Sequence, residues 1–236
     1  MPDSYKTLRE EAFEANLEIP LRGLAIYTWG NVSALDSARG VFAIKPSGVE
    51  YDRLSAAMMV VVDLEGKVVE GGLSPSSDTE THRVLYREFA GGGLAGITHT
   101  HSPYAAGFAQ AARPVPVFGT THADYGAEPV PCTGYMSEEA VKNNYERETG
   151  NLIVETFKKQ KRNFSDMPMV LVAGHGPFTW GKNAAQSVYH AAILEEICKM
   201  ALFTLTLAPG AKPLPNHIVR KHWERKHGPG AYYGQK

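Results

Sequence analysis

Five short strand candidates, most of them apolar runs, constrain the fold more than any other feature of the sequence. They are Val-Phe-Ala-Ile at 41–44, Met-Val-Val-Val at 59–62, and the segments 95–101, 115–118 and 169–173. Each is too short for a helix and is bounded by turn residues, which predicts buried strands. Several links between them lack a helical pattern, whereas a parallel pair needs a long crossover, usually a helix. The chain should therefore be α/β, with a mixed, largely antiparallel sheet rather than a regular doubly wound one.

Helical spacing fills the intervals. Leu8, Ala12, Ala15 and Ile19 recur on one face of a first helix that Ser4 would cap. A second helix should run over 79–89, beginning beside Asp78. Ser102 and Pro103 stand where an N-cap and a first helical residue belong, opening an Ala-rich helix to 112. The polar segment 138–161 should be helical in part, 183–207 should form a long helix, and 216–227 a last, basic one. No Pro/Ser-rich linker, repeat or low-complexity tract divides the chain, so 1–236 reads as a single domain.

Composition narrows the partners. With 24 Lys+Arg against 25 Asp+Glu among 236 residues, nothing favours nucleic acid or a membrane surface. The local exception is the basic stretch 220–227, either a solvated helix face or an anion-facing lid. Cys132 and Cys198 form no CxxC and fit reduced thiols. No apolar h-region opens the chain, and no apolar run approaches ~20 residues. The expected location is the cytoplasm.

Gly-Gly-Gly-Leu-Ala-Gly at 91–96 formally matches the dinucleotide fingerprint G-x-G-x-x-G. That fingerprint must follow a strand and open a helix. Here it follows a predicted helix and enters a predicted strand, so it is a turn. There is no P-loop either.

The chemistry concentrates at Ile-Thr-His-Thr-His, 97–101. Side chains two apart on a strand share a face at ~7 Å along the backbone, so His99 and His101 should converge on one ion. Asp78, at a loop-to-helix junction, and His175, between two glycines after an apolar strand, complete the set. Three imidazoles and one carboxylate suit one divalent metal, zinc first, with manganese or cobalt as alternatives.

At this point the sequence resembles the class II sugar-phosphate aldolase/epimerase family over essentially its whole length, and most closely the family's 4-epimerases. The resemblance rests on Thr-Trp-Gly-Asn-Val-Ser at 28–33, Lys-Pro-Ser-Gly-Val at 45–49, Pro-Ser-Ser-Asp at 75–78 and His-Thr-His-Ser at 99–102. It continues through Gly-Thr-Thr-His-Ala-Asp-Tyr at 119–125, His-Gly-Pro-Phe at 175–178, Trp-Gly-Lys-Asn at 180–183 and Ala-Tyr-Tyr-Gly-Gln at 231–235. It implies a three-layer α/β/α fold and interconversion of L-ribulose 5-phosphate and D-xylulose 5-phosphate, a small phosphorylated ketopentose being the partner. It further implies a cyclic homotetramer with sites at subunit interfaces.

The chemistry is consistent with that expectation. The C4 hydrogen of a 2-ketopentose is β to the carbonyl, so its removal gives no resonance-stabilised anion. Inversion must oxidise C4 or break the C3–C4 bond, and no nicotinamide fingerprint is present. Cleavage by a retro-aldol reaction needs an electrophile, which a divalent metal supplies, and a proton-transfer group for each face of the aldehyde. The resemblance assigns those two roles to Asp124 and Tyr233. It assigns substrate binding to Gly30, Asn31, Ser47, Gly48, Ser76 and Ser77, whose hydroxyls and N–H groups can form an anion nest. Lys45, and Arg225 from the basic helix, could add charge.

The aldolases of the family carry Glu where this chain has Asp78. A class II aldolase remains the nearest alternative, with a three-histidine zinc hydrolase or a non-catalytic adducin-like module behind it. A cupin-type oxygenase would need Glu three or four residues past the second His, where Tyr104 and Ala105 stand.

Overall fold

A computed structural model describes residues 5–233 of the chain. The Ser4 cap, and Gly234, Gln235 and Lys236 of the tail, lie outside the described residues. Among these residues seven strands form one sheet: β1 (Asn31–Asp36), β2 (Val41–Ile44), β3 (Val60–Asp63), β4 (Val68–Glu70), β5 (Gly96–His99), β6 (Met169–Leu171) and β7 (Pro177–Gly181). Their order is β4-β3-β2-β1-β5-β7-β6. Every ladder between them is antiparallel.

Among the described residues seven α-helices accompany the sheet: α1 (Lys6–Leu21), α2 (Thr79–Phe89), α3 (Pro103–Gln110), α4 (Thr120–Ala123), α5 (Glu138–Gln160), α6 (Ala184–Leu207) and α7 (Asn216–His227). Side-chain alternation on the strands makes two cores. Val32, Ala34, Ala43 and Val61 pack with α1 and the start of α6, while Leu35, Phe42, Val62, Ile97 and Trp180 pack with α2 and α5. The result is three layers, α/β/α. None of the helices among the described residues is long and apolar enough to cross a membrane.

The α1 stripe is as expected: Leu8, Ala12, Ala15 and Ile19 are all buried. Between them sits buried Asn16, whose side chain accepts from Val32 N–H at 2.9 Å and donates to Val32 O at 2.8 Å. A polar side chain with both amide ends satisfied thus fixes α1 against β1, one residue after Asn31.

The glycine-rich segment is a turn. Helix α2 ends at Phe89, a 3₁₀ turn follows, and Gly93 adopts φ +92° before β5 begins at Gly96. A Cβ on Gly96 would lie 2.2 Å from Asn183 O, so α6 starts directly against this strand.

Several expectations need correction, among them the strand expected over 169–173, which ends at Leu171. The strand expected over 95–101 ends at His99, leaving His101 in the following loop. The segment 115–118 is no strand, only an isolated bridge from Val115 to Val130. Ser102 occupies the N-cap of α3 but makes no side-chain cap bond. The Glu195 carboxylate on α6 takes that role, accepting from Tyr104 N–H at 3.0 Å and Ala105 N–H at 2.9 Å. An anion at a helix N-terminus is favourable there for the same reason a cap is.

Candidate metal centre

The start of β1, the end of β2, the end of β5 and the start of β7 meet at one end of the sheet. There Asn31 pairs with His99, and His99 pairs with Phe178. The His99 ring stacks on Phe178, with centroids 4.2 Å apart and planes 18° apart. Its Nδ1 lies 2.9 Å from Pro177 O. A carbonyl only accepts, so Nδ1 carries the proton and Nε2 keeps its lone pair for a ligand.

His101, freed from the strand, turns its Nε2 to within 3.0 Å of His99 Nε2. His175 arrives from a turn that only glycines permit. Gly174 has φ +73°, and a Cβ on Gly176 would lie 2.8 Å from Thr100 O. The three imidazoles present ligand nitrogens that all lie within 4.8 Å of one another. Zn–N bonds of ~2.0–2.1 Å in a tetrahedral site imply N···N separations of roughly 3.3–3.4 Å, close to this arrangement. Burial holds all three below the ordinary imidazole value, His175 at about 4. They are therefore neutral at pH 7, as metal ligands must be.

Asp78 stands at the edge of this cluster. It occupies the N-cap position of α2 but makes no cap bond. Its Oδ2 instead accepts from Asn31 Nδ2 at 2.7 Å and lies 4.0 Å from His99 Nε2. Burial opposes its ionisation, but the surrounding imidazoles and the Asn31 amide prevail, and its pKa is lowered.

The same cavity, about 650 Å³, is lined by the three histidines, Asp78, Gly30, Asn31 and Lys45. Ser47, Gly48, Ser76 and Ser77 complete the expected residues on its wall. Gly30 has φ +77°, and a Cβ there would sit 2.7 Å from His99 O, so the close approach requires glycine. Lys45 is 2% exposed. Its Nζ lies 3.4 Å from Thr28 O and 4.9 Å from the Tyr51 ring centroid. Among the described residues no carboxylate is within ion-pairing distance of it. Burial lowers it to about 8, an ammonium desolvated beside an open cavity.

Two lining residues, Tyr145 and Glu146, escape the sequence reading. Helix α5 is kinked at Asn144 (φ −159°, ψ 93°), whose Oδ1 accepts from Arg147 N–H at 3.0 Å and restarts the helix. The restart turns Tyr145 towards His175, with its hydroxyl 3.5 Å from Nδ1. The signal was Asn143-Asn144 inside an otherwise helical pattern.

Asp124, Tyr233 and Arg225 do not line this cavity. They form a second cluster at α7. Arg225 grips Asp124 bidentately, Nε to Oδ1 at 3.0 Å and Nη2 to Oδ2 at 2.6 Å, and His222 Nδ1 reaches Oδ1 at 3.0 Å. Burial works against the carboxylate, yet these bonds hold its pKa below the usual range. Arg225 is thus neither a solvated face residue nor, within its own chain, a ligand of the Lys45 cavity. A further cavity of about 460 Å³, lined by Trp180, His190, Trp223 and His227 among others, holds none of the three clustered histidines.

The family described as Class II Aldolase and Adducin N-terminal domain matches residues 10–202. The chain belongs to this family. It is 48% identical over 229 residues to L-ribulose-5-phosphate 4-epimerase UlaF of Salmonella paratyphi C (strain RKS4594), covering 97% of this chain and 99% of that protein. The protein of the same name from Salmonella typhi is 47% identical over the same span and coverage. Among solved structures, an L-fuculose 1-phosphate aldolase superposes with TM-score 0.77 at 22% identity, covering 95% of this chain and 97% of that one. The L-fuculose-1-phosphate aldolase of Thermus thermophilus gives TM-score 0.65 at 24% identity, with coverages of 89% and 100%. The class II aldolase fold expected from the sequence is therefore present.

Proposed function

We propose that this chain is a metal-dependent epimerase that interconverts L-ribulose 5-phosphate and D-xylulose 5-phosphate by breaking and remaking the C3–C4 bond. One observation carries the reading: three neutral imidazoles share a cavity with Lys45, a buried ammonium with no carboxylate partner among the described residues. The whole-length similarity to proteins named L-ribulose-5-phosphate 4-epimerase supports it.

His99, His101 and His175 would hold a divalent metal, zinc first, with Asp78 as the fourth donor. When bound, the metal supplies an electrophile for the negative charge that cleavage leaves on the three-carbon fragment. The rest falls to side chains. The C4 hydroxyl loses its proton as the C3–C4 bond breaks, and that bond's electron pair stays with the dihydroxyacetone part. Lys45, the hydroxyls of Ser47, Ser76 and Ser77, and the N–H groups around Gly48 grip the phosphate of glycolaldehyde phosphate. The aldehyde then turns its other face, the bond re-forms, and the new C4 oxygen recovers a proton.

Asp124 and Tyr233 are the proton-transfer pair of this scheme, one for each face. They lie outside their own chain's cavity, so the reading requires them from a neighbouring copy, in a homotetramer. Trp29, on the cavity wall, and Ile26 and Tyr27 before it are exposed apolar residues that such a copy would cover.

A sugar-phosphate aldolase is the second reading, favoured by the Glu146 carboxylate in the cavity. Incubating the zinc-loaded protein with L-ribulose 5-phosphate separates the two. An epimerase retains the fragments and forms D-xylulose 5-phosphate; an aldolase releases dihydroxyacetone and glycolaldehyde phosphate at the turnover rate. An epimerase-active sample unable to condense those two fragments at all would overturn the bond-cleavage route.

A further inference from the structure

We propose that Lys226 is a positioning residue that clamps Tyr233 in place through its ring. The inference rests on the reading of Asp124 and Tyr233 as the proton-transfer pair.

Beyond α7 the chain folds back on itself. Ala231 N–H donates to Gly228 O at 3.0 Å, and the N–H groups of Tyr232 and Tyr233 both donate to Arg225 O, at 3.0 and 3.2 Å. These bonds fix the backbone but not the Tyr233 ring, which is 60% exposed and packs in neither core. What meets the ring is charge. Lys226 Nζ lies 4.5 Å from its centroid, and the Arg225 guanidinium 4.9 Å. Arg225 is already committed to both oxygens of Asp124. Lys226 has no carboxylate within ion-pairing distance among the described residues, and its ammonium bridges a second ring, Tyr125, at 4.1 Å.

Tyr125 is the fixed end of this bridge. It follows Asp124 in sequence, and its hydroxyl lies 2.6 Å from that of Tyr189 on α6. A contact series thus runs from α6 through Tyr189, Tyr125 and Lys226 to Tyr233. One compact ammonium between two aromatic faces ties Tyr233 to the segment that carries Asp124. The bland alternative, a solvated lysine on a helix face, leaves the shared position of the ammonium over both rings unexplained. The other alternative is a direct grip on substrate phosphate.

The test compares K226M, K226R and Y233F in the zinc-loaded full chain, with L-ribulose 5-phosphate as substrate. K226M should lower kcat about 10-fold or more while KM stays within about twofold and metal content is unchanged. Its C-terminus should be trimmed by carboxypeptidase several-fold faster, and K226R should restore most of both losses. Unchanged kcat in K226M alongside an inactive Y233F overturns the clamp but leaves the Tyr233 assignment standing. A raised KM with kcat intact makes Lys226 a phosphate contact and also overturns the clamp. An active Y233F overturns the underlying reading itself. Should K226M fail to fold, Y125L removes the fixed ring instead; the same pattern in smaller degree supports the clamp, and its absence overturns it.

Discussion

The Nε2 atoms of His99 and His101 lie 3.0 Å apart although only His99 belongs to a strand. Two residues of continuous strand would hold the backbone attachment points ~7 Å apart. Ending β5 at His99 lets the second ring swing back towards the first. His99 stays rigid, buried and stacked on Phe178, while His101 is the exposed, adjustable member. Replacing either with Asn should lower zinc affinity and activity together by ~10-fold or more, read by chelator competition and turnover on the same samples. Activity that falls while affinity stays would remove that residue from the ligand set.

Lys45 separates binding from stability. Its desolvated ammonium opposes folding, since burial has pushed it down to about 8. K45M should raise KM for the phosphorylated substrate by about 10-fold or more, with metal content unchanged and a melting temperature equal to or above that of the parent chain. An unchanged KM would take the phosphate away from Lys45.

Acid should destabilise the metal-stripped chain in a defined window. Burial is the chief cause lowering His82 to about 3 and His122 and His175 to about 4. The unfolded chain takes up these protons near ~6.5. Between that pH and roughly 3–4 the unfolded state binds more protons, so stability falls as pH falls. Thermal melts from pH 7.5 to 4 should show a declining midpoint below about 6.5, and H122Q should flatten the decline. A midpoint that rises on acidification through this range contradicts the assignment.

The two halves of the proposed site can be inactivated separately. H99N would remove a proposed metal ligand from one cavity, and Y233F the proposed proton-transfer group from the α7 cluster. If each cavity is completed by a neighbouring copy, co-expressing the two inactive variants should restore a substantial fraction of activity, because some cavities then pair an intact metal half with an intact α7 half. Restoration is absent if both halves act within one chain.

Legibility followed locality. The α1 stripe, the turn at 91–96 and the histidine pair were readable because each signal lies within a few residues. Strands β1 and β7 were not. Asn31 and Ser33 in β1 are polar because they face the site side, Ser33 Oγ meeting His82 and Tyr86 at 2.7 Å. Strand β7 opens on Pro177 and carries Thr179, bonded to Ser187 O at 2.8 Å. The grip of Arg225 on Asp124 spans 101 residues of chain, a distance at which a basic stretch shows only its charge. Tyr145 and Glu146 depend on the kink at Asn144, a backbone event that charge and periodicity do not encode.

The histidine cluster, on this reading, drives epimerisation of a pentulose phosphate. A coupled assay following D-xylulose 5-phosphate formation from L-ribulose 5-phosphate tests it directly, run as purified, after chelator treatment, and after zinc is returned. Product formation should disappear with the metal and return with it. Formation that survives complete metal removal, or no product from the fully zinc-loaded enzyme, would contradict the metal-dependent epimerase.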